Sequence, residues 1–333
     1  MKRSASKPSA AARDTPATAA ASRTNAAERA PARRTWQLAL AGSALMFAAL
    51  PPLDLWPLAW VAPVPWLLLC RQPQLDGRRP YLVLWLAGFL FWMAALHWIR
   101  LPHPANYLGW VALAAYLAFY IPVFVGLTRV AVQAWKCPLV LAAPVVWTGL
   151  ELARGHLLTG FTMASLGHTQ YRWIELIQIS DLTGGYGVSF VVMCVAAGIA
   201  QMLPWDQQRR VWWPAAAIAL LGAVVLGYGY WRLAVPEGKP GPRIALIQGS
   251  TDTEIKSDPT KNQLVFQEYF DLSVEAVKRA PALDLLIWPE TMFRDPLIEY
   301  DPQTVRPPPG AQWDVERLAD VADFTRTFIG DTG

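Results

Sequence analysis

Long apolar stretches separated by short polar segments dominate the chain from residue 36 to residue 235. A membrane-spanning helix needs about 20 consecutive, mostly apolar residues. The pattern therefore predicts a polytopic α-helical membrane protein with about seven spans, at residues 36–52, 55–70, 80–100, 107–131, 138–153, 184–203 and 211–231. Prolines interrupt the second stretch at Pro57, Pro63 and Pro65, so this span is expected to be short or kinked.

Tryptophans and basic loop residues indicate how these spans are oriented. Fifteen of the 17 tryptophans fall within residues 36–235, and many lie near predicted span ends, as in the aromatic belts at membrane surfaces. With a cytoplasmic N-terminus, the inner loops carry seven Lys or Arg residues and the outer loops three. Because basic residues concentrate in cytoplasmic loops, we predict a multi-pass protein of a bacterial inner membrane, with its C-terminal segment in the periplasm.

The composition differs sharply along the chain. Overall, 54% of the residues are hydrophobic and 16% are charged, with a mean hydropathy of +0.24, which excludes an ordinary cytosolic protein. Residues 1–35 carry a net charge of +6 and almost no large apolar side chain, which predicts a disordered basic cytoplasmic tail. Residues 236–333 carry a net charge of −7, so the high overall pI does not indicate a nucleic-acid partner.

The acidic C-terminal part has the pattern of a separate α/β domain. Residues 236–242 (PEGKPGP) have the composition of a linker between the transmembrane domain, 36–235, and the segment 243–333. Apolar runs at 243–248 and 284–289 predict buried strands, and helical periodicity is found at 260–280 and 313–328, before a possible third strand at 328–330. Alternating strands and helices indicate a parallel sheet.

Glu290 is the candidate catalytic residue of this C-terminal part. It follows the second predicted strand directly, and functional groups of open α/β sheets gather at the carboxyl ends of strands. A carboxylate in an apolar setting tends towards a raised pKa, which suits a general base. The alternative is a solvated turn residue or a helix cap.

Several polar residues of the membrane part allow both a structural and a functional interpretation. Glu151 and Arg154 are three residues apart on one helical face and could pair, and they are either a structural ion pair or functional groups. Residues 154–183 form either an outer loop with an interfacial helix or a re-entrant element that lines a lipid-accessible cavity. The four histidines lack the spacing of a zinc site, so no metal and no cofactor is expected.

Short motifs in both parts of the chain resemble one enzyme family. The run from Ile244 to Gly249 (IALIQG) and the run from Leu286 to Thr291 (LIWPET) resemble the opening of a nitrilase-superfamily (carbon–nitrogen hydrolase) domain. A nitrilase-like start after about seven spans is similar to the apolipoprotein N-acyltransferase family. Further similar segments are LWPLAW at 55–60, Val64–Pro65, Gly88–Phe89, LHWI at 96–99, Trp147 with Glu151 and Arg154–Gly155, TGF at 159–161, GHTQ at 167–170 and YGVSF at 186–190.

The resemblance implies an activity and a set of catalytic groups. The family transfers an acyl chain from a phospholipid to the α-amine of a lipidated N-terminal cysteine in apolipoproteins, and membrane lipids surround it. It uses a Glu–Lys–Cys triad in which the cysteine forms a thioester. Only the glutamate has a counterpart here, Glu290; the family's lysine and cysteine follow later in its domain. The three cysteines, Cys70, Cys137 and Cys194, precede that domain and do not match the nucleophile.

We therefore expect about seven spans followed by the N-terminal part of an α/β nitrilase-like sandwich, at 243–333. The expected function is apolipoprotein N-acylation, and the chain as it stands is expected to be inactive because it lacks the cysteine nucleophile. Two alternatives stay open at this point. One is a non-catalytic membrane protein whose soluble end binds lipid or a partner, and the other is a membrane-tethered nitrilase-type amidase.

Overall fold

The structure, a computed structural model, describes residues 34–205, 211–235, 238, 241–252, 255, 258–280, 282–289 and 292. It divides into two compact units, Met1–Pro236 and Glu237–Gly333. The tail before residue 34, Glu290, and the predicted helix and strand beyond residue 312 lie outside the described residues.

The first unit is built of α-helices. In chain order these are α1 (34–49), α2 (Val64–Arg71), α3 (Pro80–Ala95), α4 (Asn106–Leu117), α5 (Tyr120–Gln133), α6 (Leu139–Arg154), α7 (Ile174–Ile177), α8 (Ser180–Thr183), α9 (Gly185–Met202) and α10 (Trp213–Ala234). Short 3₁₀ helices connect some of them, at Trp56–Trp60, His97–Arg100, Leu157–Thr159 and Leu166–Gln170.

Three helical stretches within the described residues are long and apolar enough to cross a membrane: Asn106–Gln133, which joins α4 and α5, then α9 and α10. Helix α3 is apolar but shorter. In its most apolar window, α9 has 56% of its residues buried inside the unit, whereas α10 has only 17%. Helix α9 is therefore a central helix, and α10 presents most of its surface outward, as a lipid-facing helix does.

The second predicted span does not form one continuous helix. Residues 55–70 contain the 3₁₀ helix Trp56–Trp60 and the eight-residue helix α2. Proline has no backbone N–H and fits only the first turn of a helix, and prolines do stand at the start of both pieces. The interruption that the prolines predict is confirmed, and α2 is only about 12 Å long at 1.5 Å per residue.

The core of the helical unit lies where α9 packs against α2, α6 and α10. Its largest fully buried side chains include Trp66, Phe124 and Met193. The Trp66 indole Nε1 donates a hydrogen bond to the Ala39 carbonyl oxygen at 3.1 Å, which fixes α2 against α1. Small residues on α9 allow the close helix approach that is typical of membrane proteins: Ala196, Ala197, Gly198 and Ala200.

Two arginines, the buried Arg71 and the half-buried Arg129, connect the ends of these helices. Arg71 donates to the carbonyl oxygens of Ala200 and Leu203 at the end of α9. Arg129 of α5 donates to the Leu69 oxygen at 2.9 Å and to the Gln72 oxygen at 2.6 Å, at the end of α2. The last carbonyl oxygens of a helix have no hydrogen-bond donor within the helix, so each guanidinium supplies donors to oxygens that would otherwise have none.

The second unit contains a βαβ arrangement. Strand β1 (Ile244–Leu246) pairs in parallel with β2 (Leu285–Ile287), and helix α11 (Asn262–Arg279) lies between them in sequence. Val265 and Tyr269 of α11 are buried and form a small apolar cluster with Ile247. The two strands, their parallel pairing and the intervening helix were expected from the sequence and are confirmed. The expected burial of the strands is wrong: only Ala245 and Leu286 face the apolar cluster on α11, and Ile244, Leu246, Leu285 and Ile287 on the other face are exposed among the described residues.

Candidate functional site

The predicted catalytic residue, Glu290, lies outside the described residues, but the strand end that precedes it is well defined. The Trp288 indole Nε1 donates a hydrogen bond to Ser273 Oγ at 2.8 Å. Its ring centroid lies 5.6 Å from that of Phe266 and 5.5 Å from that of Tyr269. Helix α11 therefore fixes the end of β2 two residues before Glu290, and the catalytic role of Glu290 stays a prediction.

The helical unit contains a buried polar cluster at the end of α6. Glu151 and Arg154 are each only 5% exposed. Glu151 Oε1 accepts hydrogen bonds from Trp147 Nε1 at 2.9 Å and from the backbone N–H of Leu166 at 2.8 Å. Trp147 lies one turn earlier on the same helix, while Leu166 belongs to the following loop. Glu151 therefore holds that loop against the helix.

Arg154 binds the same loop from the next turn of α6. Its Nη2 donates to Ser165 Oγ at 3.0 Å, and its Cζ lies 5.3 Å from the centroid of the Trp92 ring. The predicted ion pair between Glu151 and Arg154 is not formed, although both side chains are buried near the same helix end. The reason is that the chain folds back after Arg154 and offers a backbone N–H and a hydroxyl as partners.

Residues 155–170, which we call the 155–170 loop, adopt an unusual backbone. Leu158, Thr159 and Ala164 have positive φ angles of 49°, 71° and 55°. Each such residue costs about 1–2 kcal/mol when it is not glycine. Gly160 has a φ of 87°, and a Cβ atom there would collide with the Gly155 carbonyl oxygen. A strained backbone persists only where its surroundings determine it strongly.

Further hydrogen bonds hold the second half of the loop in its conformation. Ser189 Oγ of α9 accepts from the Gly167 N–H at 2.8 Å. Gln170 is completely buried, and its Oε1 accepts from Trp60 Nε1 at 3.0 Å. The loop is thus held by α6, α9 and the 3₁₀ helix Trp56–Trp60. Within residues 154–183, most of Ser165–Gln170 is buried and includes a 3₁₀ helix, whereas His156–Thr159 are exposed, so only the second half of the loop packs into the helical unit.

Exposed ion pairs follow the loop. Tyr171 Oη donates to Asp54 Oδ2 at 2.9 Å, and Arg172 pairs with the same carboxylate. The hydrogen bond to Tyr171 and the charge of Asp54 raise the pKa of the Arg172 guanidinium. Arg232 Nε of α10 binds Asp181 Oδ2 at 2.6 Å. These pairs join the loop region to neighbouring elements, but exposed ion pairs contribute little to stability.

A small cavity of about 30 Å³ adjoins the polar cluster. Its walls come from α1, α2, α3, α5, α6 and the 155–170 loop. Apart from Glu151 and Arg154, the lining is apolar or aromatic: Met46, Trp66, Phe91, Trp92, Tyr120, Ile121, Trp147, Leu150 and Ala164. The helical unit therefore encloses an aromatic chamber with one carboxylate and one guanidinium in its wall.

The three cysteines lie in the helical unit. Cys70 is completely buried, with its Sγ 3.9 Å from the Val125 carbonyl oxygen. Cys194 Sγ lies 3.4 Å from the Val140 carbonyl oxygen. All three cysteines are free thiols. In the part of the chain that the structure describes, no group of three or more His, Cys, Asp or Glu residues is placed to hold a metal ion.

The fold and its polar cluster define an α-helical membrane protein that carries an additional α/β unit. Residues 42–198 match the family model described as the apolipoprotein N-acyltransferase N-terminal domain. The polar cluster and the whole 155–170 loop fall within that match. The chain belongs to the apolipoprotein N-acyltransferase family, as the sequence motifs predicted.

Individual relatives support this assignment. The apolipoprotein N-acyltransferase of Geobacter metallireducens is 35% identical over 271 residues, which cover 78% of this chain and 51% of that protein. The enzyme of the same name from Rhodopirellula baltica is 32% identical over 262 residues, covering 73% and 45%. That of Azotobacter vinelandii is 31% identical over 273 residues, covering 76% and 50%. The chain spans about half the length of these curated relatives.

Proposed function

We propose that this chain takes part in the N-acylation of apolipoproteins. In this reaction an acyl chain moves from a membrane phospholipid to the α-amine of a lipidated N-terminal cysteine. The observation that carries the proposal is the family match over residues 42–198, which lies within the helical unit and contains its buried polar cluster. Relatives that bear the name of this activity align with 73–78% of the chain.

The proposed topology has about seven spans. The tail, 1–35, is placed in the cytoplasm, and residues 243–333 are placed in the periplasm as the N-terminal part of a nitrilase-like domain. Support comes from the excess of Lys and Arg in the loops on the tail's side. The parallel β1–α11–β2 arrangement is compatible with the start of such a domain. In this arrangement the phospholipid donor and the apolipoprotein acceptor meet at the periplasmic surface of the inner membrane.

Glu290 is the proposed general base. It removes the proton from a cysteine thiol, and the resulting thiolate attacks the ester carbonyl of the phospholipid and releases the lysophospholipid alcohol. The acceptor amine then attacks the thioester, so that the amide forms and the thiol is regenerated. Support for Glu290 is its position directly after Pro289 at the carboxyl end of β2.

None of Cys70, Cys137 and Cys194 is proposed as the nucleophile. Cys70 is completely buried, and the half-buried Cys194 of α9 faces the Val140 carbonyl oxygen of α6. We therefore expect that this 333-residue chain, incubated with phospholipid, forms no acyl-thioester on these three cysteines.

A hybrid enzyme tests the proposal. Residues 36–290 of this chain replace the aligned part of the Geobacter metallireducens relative, and the hybrid is produced in cells depleted of their own N-acyltransferase. The expected result is a lipoprotein whose mass increases by one acyl chain, and the hybrid with Glu290→Gln should lack this product. A hybrid that inserts into the membrane at the parent's level but adds no acyl chain would contradict the proposed function.

A further inference from the structure

One end of the helical unit brings the ends of several helices together. Arg129 of α5 donates to the Pro73 carbonyl oxygen at 3.0 Å, so the end of α5 lies against the segment that precedes α3. Arg71 at the end of α2 donates to a carbonyl oxygen just after α9 at 2.7 Å. A Cβ atom on Gly198 of α9 would contact Pro214, which places the start of α10 beside them. We call this end of the unit the basic end.

The basic end carries most of the positive charge in the described part of the helical unit. Six Lys or Arg residues of that part lie here: Arg34, Arg71, Arg78, Arg79, Arg129 and Lys136. The described carboxylate at this end is the half-buried Asp76. Arg71 and Arg129 bind carbonyl oxygens, and Cζ of Arg34 lies 4.0 Å from the centroid of the Trp205 ring. Three of the six cations are thus engaged within the protein.

The other three cations have no side-chain partner within the described residues. The side chains of Arg78, Arg79 and Lys136 are exposed and make no hydrogen bond, ion pair or ring contact there. Arg78 and Arg79 end the segment that Arg129 binds, and Lys136 follows the end of α5 by three residues. The three charges therefore share one surface at the basic end.

The opposite end of the unit is arranged differently, because each of its described arginines has a partner. These partners are Tyr107 for Arg100, Ser165 for Arg154, Asp54 for Arg172 and Asp181 for Arg232. The two ends therefore differ in the pairing of their cations as well as in their number. Within the described residues, the unpaired cations are found at the basic end, which predicts an anionic partner there.

Exposed aromatic rings indicate that this partner is a lipid surface. Trp135, which directly precedes Lys136, is 76% exposed, and Tyr81, two residues after Arg79, is 46% exposed. Trp213 at the start of α10 is 48% exposed. Tryptophan and tyrosine rings concentrate at the level of the lipid headgroups. A cation beside such a ring lies at the depth of the lipid phosphates, whereas a site for an acidic protein would lie farther out in water.

We propose that Arg78, Arg79 and Lys136 form a binding surface for anionic phospholipid headgroups. The two guanidinium groups and the ammonium group donate to the phosphate oxygens, and the rings of Trp135 and Tyr81 lie between headgroups and acyl chains. Each basic residue near an anionic membrane strengthens binding about fivefold. The surface requires neither Glu290 nor acyl transfer, so it stands or falls independently of the proposed function.

Native mass spectrometry of the full chain tests this surface. The protein in detergent micelles receives equal amounts of phosphatidylglycerol and phosphatidylcholine with the same acyl chains, and the bound lipids are counted by mass. The unmodified chain should retain at least fivefold more phosphatidylglycerol than phosphatidylcholine. Raising the ammonium acetate concentration from about 0.1 to 1 M shortens the screening length from about 10 to 3 Å, and should reduce this preference at least twofold.

Three variants make the test specific. The triple variant with Arg78→Gln, Arg79→Gln and Lys136→Gln should retain both lipids about equally. The matched control has Arg78→Lys, Arg79→Lys and Lys136→Arg, which conserves the charges at the same positions and should keep the preference. Arg100→Gln removes a cation from the opposite end and should also keep it. Gel filtration verifies that each variant is folded.

Equal retention of the two lipids by the unmodified chain overturns the proposal. A preference that persists in the triple glutamine variant, or one that Arg100→Gln abolishes, places the anionic lipid elsewhere and overturns it as well. Loss of the preference in the charge-conserving control would contradict an electrostatic surface. When glycerol 3-phosphate at the concentration of the lipid displaces the phosphatidylglycerol completely, the surface binds phosphate from solution rather than a lipid, and the proposal is wrong.

Discussion

Replacing Glu151 by alanine should destabilise the helical unit strongly. The substitution leaves the Trp147 Nε1–H and the Leu166 N–H without their acceptor, at present 2.9 and 2.8 Å away. An unsatisfied buried donor costs about 1–3 kcal/mol, and the two together give an expected loss of about 2–5 kcal/mol in the free energy of unfolding. Arg154 also loses its nearest opposite charge, which acts in the same direction.

Glutamine at the same position separates hydrogen bonding from charge. Glu151→Gln keeps a carbonyl oxygen that can accept from both donors, so we expect a loss of about 1 kcal/mol. Glu175→Ala is the matched control, because it removes a carboxylate from a half-buried position in the same unit. It should change the unfolding free energy by less than about 0.5 kcal/mol, as ordinary surface substitutions do.

The measurement is unfolding of the full chain in mixed micelles with increasing dodecyl sulfate. Alkylation of Cys70, which is completely buried in the folded state, reports the unfolded fraction when its peptide is followed by mass spectrometry. The reasoning is refuted when Glu151→Ala unfolds at the same denaturant fraction as Glu175→Ala. It is also refuted when Glu151→Gln is as damaging as Glu151→Ala, because the loss would then reflect charge rather than the two hydrogen bonds.

Two further predictions concern the loop backbone and the α/β unit. Gly160→Ala should lower the free energy of unfolding by about 1–2 kcal/mol or more, because φ is 87° and the added Cβ would meet a backbone oxygen. The control is Gly149→Ala in α6, where a Cβ meets nothing within 4 Å. It should be neutral or stabilising in the same unfolding assay. Asp258 accepts hydrogen bonds from the hydroxyl and N–H of Thr260, which lower its pKa. The stabilising contribution of the Asp258 carboxylate should be complete above about pH 4 and lost as the pH falls through its lowered native pKa. Hydrogen exchange around residues 258–262 measures this loss. Thr260→Val should move the loss to higher pH, and an unchanged profile would contradict the assignment.

Local periodicity was sufficient to predict much of the fold. The apolar run that becomes α9 and the strand–helix–strand order of the second unit are present where they were expected. In these segments the backbone geometry follows from neighbouring residues, whereas the predicted burial of β1 and β2 was wrong, since most of their side chains are exposed. The prolines at 57, 63 and 65 likewise predicted the break between the 3₁₀ helix Trp56–Trp60 and α2.

The candidate site was much less predictable, because long-range contacts decide it. Helical spacing predicted that Glu151 and Arg154 would pair, yet the loop that folds back supplies closer partners to both. The bond between Trp60 and Gln170 joins residues 110 positions apart, and that between Gly167 and Ser189 joins different elements. The sequence signal for these contacts was limited to the short GHTQ and YGVSF motifs, which mark positions but not partners.

The central claim is that the helical unit supports N-acylation of a lipoprotein. The most direct measurement uses the purified hybrid of residues 36–290 with the Geobacter metallireducens relative, a phospholipid with an isotope-labelled acyl chain and a lipopeptide with a free α-amine. The account predicts that mass spectrometry finds the labelled acyl chain in amide linkage on that amine, and that Glu290→Gln abolishes this product. A folded hybrid that leaves the amine unmodified, while the parent enzyme acylates it under the same conditions, would contradict the account.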